Sequence, residues 1–258
     1  MEINQAFTIL QHAGGIRAAR IITENRENLS TFAVWRMARK LRRGVPVAKI
    51  IHKKWFYGLP FYTNSKTLDP RPDTETIVSA VISDCGATAG SPRILDLGTG
   101  TGCIIAAIVK NVADASGVAI DKSCGAVHVA RKNIRDLGLA RRVRVMRGTF
   151  ENPPRFDTPF DIIVSNPPYI ATGDARVDSG AMHDPKMALY AADGGLAAYR
   201  AIACNTWTMT RDDGKIYLEI GANQGVSVRE IFEYAGWRFI RAERDLGGIE
   251  RVLIFQKQ

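Results

Sequence analysis

From Arg93 to its end, the chain alternates between short apolar runs rich in β-branched residues and longer runs whose apolar positions have helical spacing. The predicted strands span 94–97, 117–121, 143–146, 161–165, 215–220, 238–242 and 251–255, and the predicted helices span 102–112, a stretch ending at 137, 196–209 and 226–235. This alternation predicts an α/β fold around a mainly parallel sheet. The last two strands have no helix between them, which predicts an antiparallel C-terminal edge.

The first 44 residues have a different pattern. Their apolar positions have helical spacing without β-type alternation, and the spacing is interrupted at Gly14-Gly15 and again at Gly44. Glycine is a poor helix former, so these positions separate helices from one another. We therefore expect a small helical domain over residues 1–44.

Residues 45–68 are expected to form a hairpin-like linker, because aromatic and β-branched residues surround Gly58-Leu59-Pro60. Pro70-Arg71-Pro72 then imposes an extended stretch, and Asp73-Thr74-Glu75 supplies capping chemistry for the helix that follows. This change from extended to helical backbone indicates a domain entrance. We therefore assign residues 69–258 to the main domain.

The positive charge of the chain is concentrated in one segment. The net charge is +9, and no Asp or Glu occurs between Asn28 and Leu68. That stretch carries nine basic residues: Arg36, Arg39, Lys40, Arg42, Arg43, Lys49, Lys53, Lys54 and Lys66. The 36–66 segment is typical of a surface for an acidic or nucleic-acid partner, and equally of a solubilising helix face.

Several classes of protein are disfavoured by what the sequence lacks. No apolar run approaches the roughly 20 residues that cross a bilayer, and the N-terminus lacks the pattern of a secretory signal, so we expect a cytoplasmic protein. We also expect a monomer. The four cysteines stand apart beside apolar segments and are expected to be buried thiols. The four histidines have no ligand spacing, so no metal site is expected.

The first candidate site follows the strand 94–97, where Gly98-Thr99-Gly100-Thr101-Gly102 opens a helix. Glycines in such a loop let the backbone turn tightly and approach a ligand. Cys103 occupies the position of the third glycine of a nicotinamide-dinucleotide motif, which disfavours a dehydrogenase. Asp121 ends the next strand and suits a carboxylate that binds two ribose hydroxyls, although it could instead cap the following helix. The pair indicates an adenosine-containing ligand, with Asp96 as a weaker candidate for ligand contact or for a loop brace.

The second candidate site is Asn166-Pro167-Pro168-Tyr169, directly after the fourth predicted strand of the alternating region. The carboxyl ends of parallel strands are where open α/β sheets bind ligands. Consecutive prolines leave the Pro167 carbonyl free to accept a hydrogen bond, the Asn166 amide oxygen is a second acceptor, and Tyr169 offers an aromatic surface. The tetrapeptide therefore predicts a clamp for a planar NH₂ group.

With these motifs the chain resembles the bacterial protein-glutamine N5-methyltransferases that modify class I peptide chain release factors. The resemblance covers nearly the whole length, through Gly58-Leu59-Pro60-Phe61, Pro70-Arg71-Pro72-Asp73-Thr74-Glu75, Gly98 to Gly102, Asn166 to Tyr169 and the closing Glu250-Arg251 strand. Asn-Pro-Pro-Tyr also occurs in adenine-N6 DNA methyltransferases and ribosomal-protein glutamine methyltransferases. The Pro70 to Glu75 run beside a basic helical domain is typical of the release-factor type.

The resemblance implies a Rossmann-like class I methyltransferase fold, preceded by a small helical substrate-recognition domain. It implies S-adenosylmethionine as the cofactor and a release-factor Gly-Gly-Gln glutamine as the substrate. The implied cofactor residues are Gly98, Thr99, Gly100, Thr101, Gly102 and Asp121, and the implied catalytic and substrate-binding residues are Asn166, Pro167, Pro168 and Tyr169. Relatives commonly carry an acidic and then a bulky residue beside the adenine, whereas this chain has Gly148-Thr149-Phe150, so we expect the adenine contact at Thr149.

Other functions remain open at this point. The clamp also fits an exocyclic amine of RNA or DNA, for which the 36–66 segment is the motivation, or a ribosomal-protein glutamine. A non-catalytic module that only binds an adenosine ligand or RNA is disfavoured, because Asn166 and the loop glycines are intact.

Overall fold

The computed structural model describes residues 1–26, 29–86, 90–174 and 181–257. Its strands are β1 (Lys54–Phe56), β2 (Leu59–Phe61), β3 (Arg93–Leu97), β4 (Ser116–Asp121), β5 (Val143–Arg147), β6 (Phe160–Ser165), β7 (Ile170–Ala171), β8 (Tyr190–Ala191), β9 (Thr210–Glu219), β10 (Arg238–Arg244) and β11 (Glu250–Gln256). Its helices are α1 (Ile3–Glu24), α2 (Thr31–Arg42), α3 (Val47–Ile51), α4 (Glu75–Gly86), α5 (Cys103–Asn111), α6 (Cys124–Asp136), α7 (Ala197–Thr206) and α8 (Gly225–Tyr234).

A seven-stranded sheet has the order β10-β11-β9-β6-β3-β4-β5. Strands β5, β4, β3, β6 and β9 are parallel to one another. Strand β11 runs antiparallel to both β9 and β10. The expected α/β fold, with a mainly parallel sheet and an antiparallel C-terminal edge, is confirmed.

Both faces of this sheet are covered, which explains why its strands are apolar without polar alternation. On β3, Ile94 faces the core formed with α4, α5 and α6, whereas Leu95 faces the core formed with α7 and α8. Both side chains are 0% exposed. The period of two along a strand thus divides the apolar residues between two cores, and the polar groups that end the strands are left at the sheet's edge.

The N-terminal helices enclose a separate apolar core. Leu10 and Ile22 of α1 pack with Val34 of α2, and Ile50 of α3 joins the same core. Helical packing therefore continues past Gly44, where the sequence led us to end the first domain. The hairpin formed by β1 and β2 instead buries Phe56 and Phe61 in the core that the sheet forms with α4, α5 and α6. The expected hairpin is present. The 45–68 segment, however, contributes α3 to the N-terminal core and the hairpin to the core formed with α4, α5 and α6. Its assignment as a linker stays a prediction.

The basic residues of α2 lie on one exposed side of that helix. We call this surface, formed by Arg36, Arg39 and Arg42 together with Arg43 at the helix end, the basic helix face. Trp35 lies among these residues and is 51% exposed. Lys49, by contrast, is only 5% exposed, so the 36–66 segment is not one continuous charged surface.

The cysteine prediction was partly wrong. Cys103 is buried and Cys85 is half-buried, but Cys124 and Cys204 are exposed, because they occupy the solvent sides of α6 and α7. All four are free thiols. Among the helices in the described ranges, none combines the length and the apolar character needed to cross a bilayer.

Candidate active site

The glycine-rich loop connects β3 to α5 at the carboxyl edge of the parallel strands. The N–H groups of Gly98 and Thr99 both donate to the Ile120 carbonyl, each at 2.9 Å, which ties the loop to the end of β4. Gly98 has a φ of +73°, and a Cβ there would lie 2.9 Å from Cζ of Phe150. Glycine at this position therefore permits both the left-handed turn and the close approach of the neighbouring ring.

Asp121, the last residue of β4, braces this loop. Its carboxylate accepts hydrogen bonds from the N–H groups of Gly100, at 2.9 Å, and Ser123, at 2.8 Å. Ser123, not Asp121, caps α6, since its side chain accepts from the N–H of Ala126. Burial raises the pKa of Asp121, and the two hydrogen bonds oppose that rise. Each carboxylate oxygen keeps a second lone pair that a hydroxyl group can use.

A cavity of about 360 Å³ opens beside the loop, within the range of roughly 300–1,000 Å³ that is usual for small-molecule sites. Six residues predicted from the sequence line it: Gly98, Gly100, Asp121, Thr149, Asn166 and Pro168. They come from segments far apart in the chain. They meet because the carboxyl ends of the parallel strands share one edge of the sheet. We call this space the loop cavity.

Three residues that the sequence placed in the cofactor site, Thr99, Thr101 and Gly102, lie outside the wall of the loop cavity. The Thr99 hydroxyl points inward and donates to Asp96 at 2.6 Å. The Thr101 carbonyl accepts from the side chain of Asn133 at 2.8 Å. Their polar groups thus find partners inside the protein, and these residues hold the shape of the loop.

Asp96 is completely buried beneath the loop, at 0% exposed. Burial raises its pKa to about 7, although the hydrogen bond from Thr99 acts in the opposite direction. Because no solvent reaches its carboxylate, a ligand in the loop cavity would not touch it. Of the two roles considered for Asp96, the geometry therefore supports the loop brace.

Two aromatic residues of the loop cavity, Phe150 and Tyr190, were not among the predicted site residues. Phe150 directly follows Thr149 in the segment that departs from the family pattern. Tyr190 lies on β8, which pairs with β7 just after the Asn-Pro-Pro-Tyr motif, and nothing in the local sequence marks it. Aromatic walls of this kind suit a planar ring.

Asn166 stands between the loop cavity and a second cavity of about 390 Å³, and it lines both. We call the second space the motif cavity, because Tyr169 also lines it. The side-chain nitrogen of Asn166 donates to the hydroxyl of Thr74 at 3.1 Å, so its oxygen is directed away from Thr74. Pro168 lines the loop cavity, whereas Pro167 is buried and lines neither space.

The backbone at Tyr169 is fixed by its neighbours. Its carbonyl accepts a hydrogen bond from the side chain of Gln224 at 3.0 Å. A Cβ at Gly195 would lie 2.2 Å from the same carbonyl oxygen, so this approach requires glycine. Burial raises the pKa of the Tyr169 hydroxyl to about 12, which keeps it protonated at neutral pH.

The segment after the motif covers both cavities. Pro185 and Met187 line the loop cavity, and Leu189 lines the motif cavity. Within it, the buried carboxylate of Asp184 pairs with Lys49 of α3 at 2.7 Å and with Arg71 at 2.7 Å. We call the 181–191 segment the covering loop. Nothing in the local sequence predicts a role for Asp184, because its partners Lys49 and Arg71 lie far from it along the chain.

Comparisons with known proteins show which family this chain is similar to. Residues 74–186 match the family described as "Methyltransferase small domain". The chain is 39% identical over 229 residues to the release factor glutamine methyltransferase of Agrobacterium fabrum, covering 86% of this chain and 78% of that one. It is 36% identical over 253 residues to the enzyme of the same name from Cereibacter sphaeroides, covering 95% and 87%.

A solved structure supports the fold. A methyltransferase from Pyrococcus furiosus superposes with a TM-score of 0.57 at 19% identity, over 78% of this chain and 90% of that one. At this level of identity the likeness extends to the fold alone. The site must therefore be interpreted from its own residues.

Proposed function

This chain belongs to the release factor glutamine methyltransferase family, and from that we propose that it methylates the side-chain amide nitrogen (N5) of the glutamine in the Gly-Gly-Gln motif of a class I peptide chain release factor. The methyl donor is S-adenosylmethionine. One observation carries the proposal: Asn166 separates two cavities and lines both. A methyl donor on one side and an amide on the other would meet at that residue.

The residues around the loop cavity fit the donor. Backbone at Gly98 and Gly100 can approach it closely, and the spare lone pairs of Asp121 suit its ribose hydroxyls. Phe150 and Thr149 would flank its adenine. When bound, the donor supplies an electrophilic methyl group on a sulfonium.

The motif residues hold the acceptor. An amide nitrogen is a weak nucleophile, because its lone pair is delocalised into the carbonyl. We propose that the Asn166 oxygen, which lies at both cavities, accepts a hydrogen bond from one N–H of the amide, which would orient the nitrogen and favour pyramidal geometry as the new bond forms. Pro167 is buried and lines neither cavity, so its carbonyl as the second acceptor stays a prediction from the sequence. The aromatic ring of Tyr169 would pack against the planar amide and exclude water. Its protonated hydroxyl is unsuited to act as a base.

The helical region supplies the recognition surface in this proposal. The basic helix face would steer an acidic surface of the release factor towards the site, since opposite charges accelerate encounter. A nucleic-acid partner for the same face is the competing hypothesis. We further propose that the protein acts in the cytoplasm as a monomer.

The test is a methylation assay with tritium-labelled S-adenosylmethionine. We expect label on a purified class I release factor, and no label on the same factor after replacement of the Gly-Gly-Gln glutamine. Ribosomal RNA and ribosomal proteins serve as competing substrates. Label on either of these in preference to the release factor would contradict the proposal.

A further inference from the structure

Glu219, the last residue of β9, has no part in the function proposed above. Its side chain is 2% exposed and lines the motif cavity beside Asn166 and Tyr169. One carboxylate oxygen, Oε2, has no hydrogen-bond partner among the described residues. A buried carboxylate with unused accepting capacity is costly, so its position beside the reacting groups requires an explanation.

Thr74 connects this carboxylate to Asn166. The Thr74 hydroxyl accepts from the side-chain nitrogen of Asn166 at 3.1 Å. Thr74 and Asn166 both lie near the Glu219 carboxylate, and hydrogen bonding from each of them lowers its pKa. Thr74 directly precedes α4, Asn166 directly follows β6 and Glu219 ends β9, so the three side chains converge only in the folded protein.

We propose that Glu219 is a positioning residue which, through Thr74, holds the Asn166 amide with its oxygen facing the acceptor nitrogen. This inference rests on the proposed function. An asparagine amide can rotate by half a turn and exchange its oxygen and nitrogen. In the rotated form the NH₂ group of Asn166 would face the NH₂ group of the substrate. Both groups only donate hydrogen bonds, so Asn166 could no longer bind the substrate amide.

Asn166 prefers one amide orientation because the Thr74 hydroxyl has a single proton to donate. An ionised carboxylate only accepts hydrogen bonds, so Thr74 donates its proton to Glu219 and uses a lone pair to accept from Asn166. A protonated Glu219 can donate to Thr74 instead. The hydroxyl proton is then free to point at Asn166, which favours the rotated amide.

The charge state of Glu219 would therefore regulate turnover. Burial raises its pKa to about 7, whereas hydrogen bonding from Thr74 and the positive charge of Arg251 lower it, and Asp73 raises it. Three further ionisable groups that influence or touch Glu219 are Cys103, Tyr169 and Tyr199. Their pKa values are all raised, to about 12 for the first two, so they stay neutral near pH 7.

The direction of the pH dependence follows from which form of Glu219, ionised or protonated, holds Asn166 in the active orientation. The ionised form predominates above the pKa, so kcat is expected to be full at alkaline pH and to fall as the pH drops through about 7. Asp96 also has a pKa raised to about 7. A substitution at Glu219 is needed to separate the two groups.

The decisive variant is Glu219→Gln, which keeps the shape but can donate to Thr74 at every pH. We expect kcat about tenfold to a hundredfold lower at about pH 8, with the acid limb of the pH profile removed. The KM for the release factor and the affinity for S-adenosylmethionine should stay within about twofold of the wild type, because neither is bound through this carboxylate.

A matched pair of substitutions at Thr74 tests the same connection between Glu219 and Asn166 without changing the carboxylate. Thr74→Val removes the hydroxyl and should lower kcat similarly, whereas Thr74→Ser should restore most of that loss and the acid limb. This pair decides the matter if Glu219→Gln fails to fold.

Two results contradict the inference: a Glu219→Gln enzyme with the kcat and acid limb of the wild type, or equal activity of the two Thr74 variants. Either result counts only if the wild-type enzyme transfers label to the release factor in the same assay. Absence of that label would instead overturn the proposed function.

Discussion

Asn166 touches more of the proposed chemistry than any other motif residue, since it borders the loop cavity and the motif cavity together. Its nitrogen is held by Thr74, and its oxygen is directed away from that residue. The donor's adenosine would instead be bound by the glycine loop and Asp121. Donor binding and acceptor positioning thus depend on different side chains.

Asn166→Ala tests that separation. We expect kcat to fall by about a hundredfold to a thousandfold, as for loss of one preorganised hydrogen-bonding group at a reacting centre. Affinity for S-adenosylmethionine, measured by calorimetry, should be nearly unchanged. Asn111→Ala serves as the control, because that side chain only bonds a carbonyl of its own helix. Equal losses of turnover and cofactor affinity would contradict the assigned role.

Asp121→Asn should produce the opposite result. An amide nitrogen in place of one carboxylate oxygen would face the N–H of Gly100 or Ser123, and a charge-assisted bond to the ribose would be lost. We expect donor affinity to fall about tenfold to a hundredfold, corresponding to about 1.5–3 kcal/mol. With saturating donor, kcat should recover to near the wild-type value. A variant that binds the donor normally would exclude the ribose role.

At this scale the sequence predicted Gly98, Asp121 and Asn166, which all line the loop cavity, because each belongs to a local motif with a chemical rationale. It could not predict Glu219 or Asp184. The neighbours of both residues lie far away along the chain, and only the tertiary fold brings them together. A single buried acidic residue has no local sequence signal.

At the scale of elements, the covering loop is held by buried charge. Asp184 is about 1% exposed at its side chain and pairs with Lys49 and Arg71. Removing Asp184 would take the ion-pair partner from Arg71 and leave Lys49 with Asp69, at 3.2 Å, as its remaining carboxylate. Breaking a buried pair in this way costs far more than the loss of an exposed pair. The loop's position over the two cavities therefore depends on this carboxylate.

Asp184→Asn should lower the free energy of unfolding by about 3 kcal/mol and reduce turnover. The matched control is Asp193→Asn, which removes an exposed ion pair with Arg200 and should cost less than about 1 kcal/mol. Urea denaturation of both variants measures the difference. Equal destabilisation by the two substitutions would show that burial of Asp184 does not matter.

Element boundaries were less predictable than element types. Strand β9 was predicted from Lys215 but begins at Thr210. The intervening Arg211-Asp212-Asp213-Gly214 run has the composition of a turn, and Asp213 indeed has a φ of +64°. The pairing between β9 and β6 shifts register across this run and continues from Lys215 onward. Backbone pairing, not side-chain polarity, extends this strand.

At the scale of the whole molecule, the basic helix face lies on a unit with its own apolar core, separate from the two cores of the sheet. The β5 edge of the sheet, around the connection from α6 to β5, carries exposed basic residues too. These are Arg135, Arg141 and Arg144. The two groups allow the position of positive charge to be tested independently of its amount.

The triple variant Arg36→Glu, Arg39→Glu, Arg42→Glu should lower kcat/KM for the release factor about tenfold at low salt, with kcat unchanged. The effect should shrink as salt is added, because exposed charges are screened. The control replaces Arg135, Arg141 and Arg144 with Glu. Steady-state kinetics at two salt concentrations would decide, and similar losses in both triples would argue against a docking role for the face.

The overall architecture was predictable because βαβ alternation and the terminal strand pair constrain the sheet strongly. The packing of residues 47–51 against the first two helices was not predictable in this way. Helix α3 has only five residues, too few for a helical period to be recognised, and its packing with α1 and α2 depends on tertiary contacts.

Lys49 has a consequence for how the protein could be recombined. The ammonium that neutralises Asp184 comes from the N-terminal helical unit, whereas the carboxylate lies in the covering loop. A chimaera joining residues 69–258 to the N-terminal helices of a distant relative would keep the glycine loop, Asn166 and Arg71, but it would keep the second cation beside Asp184 only if the new helices supplied one at the position of Lys49. Exchanging the N-terminal helices would therefore also change how the covering loop is held over the two cavities.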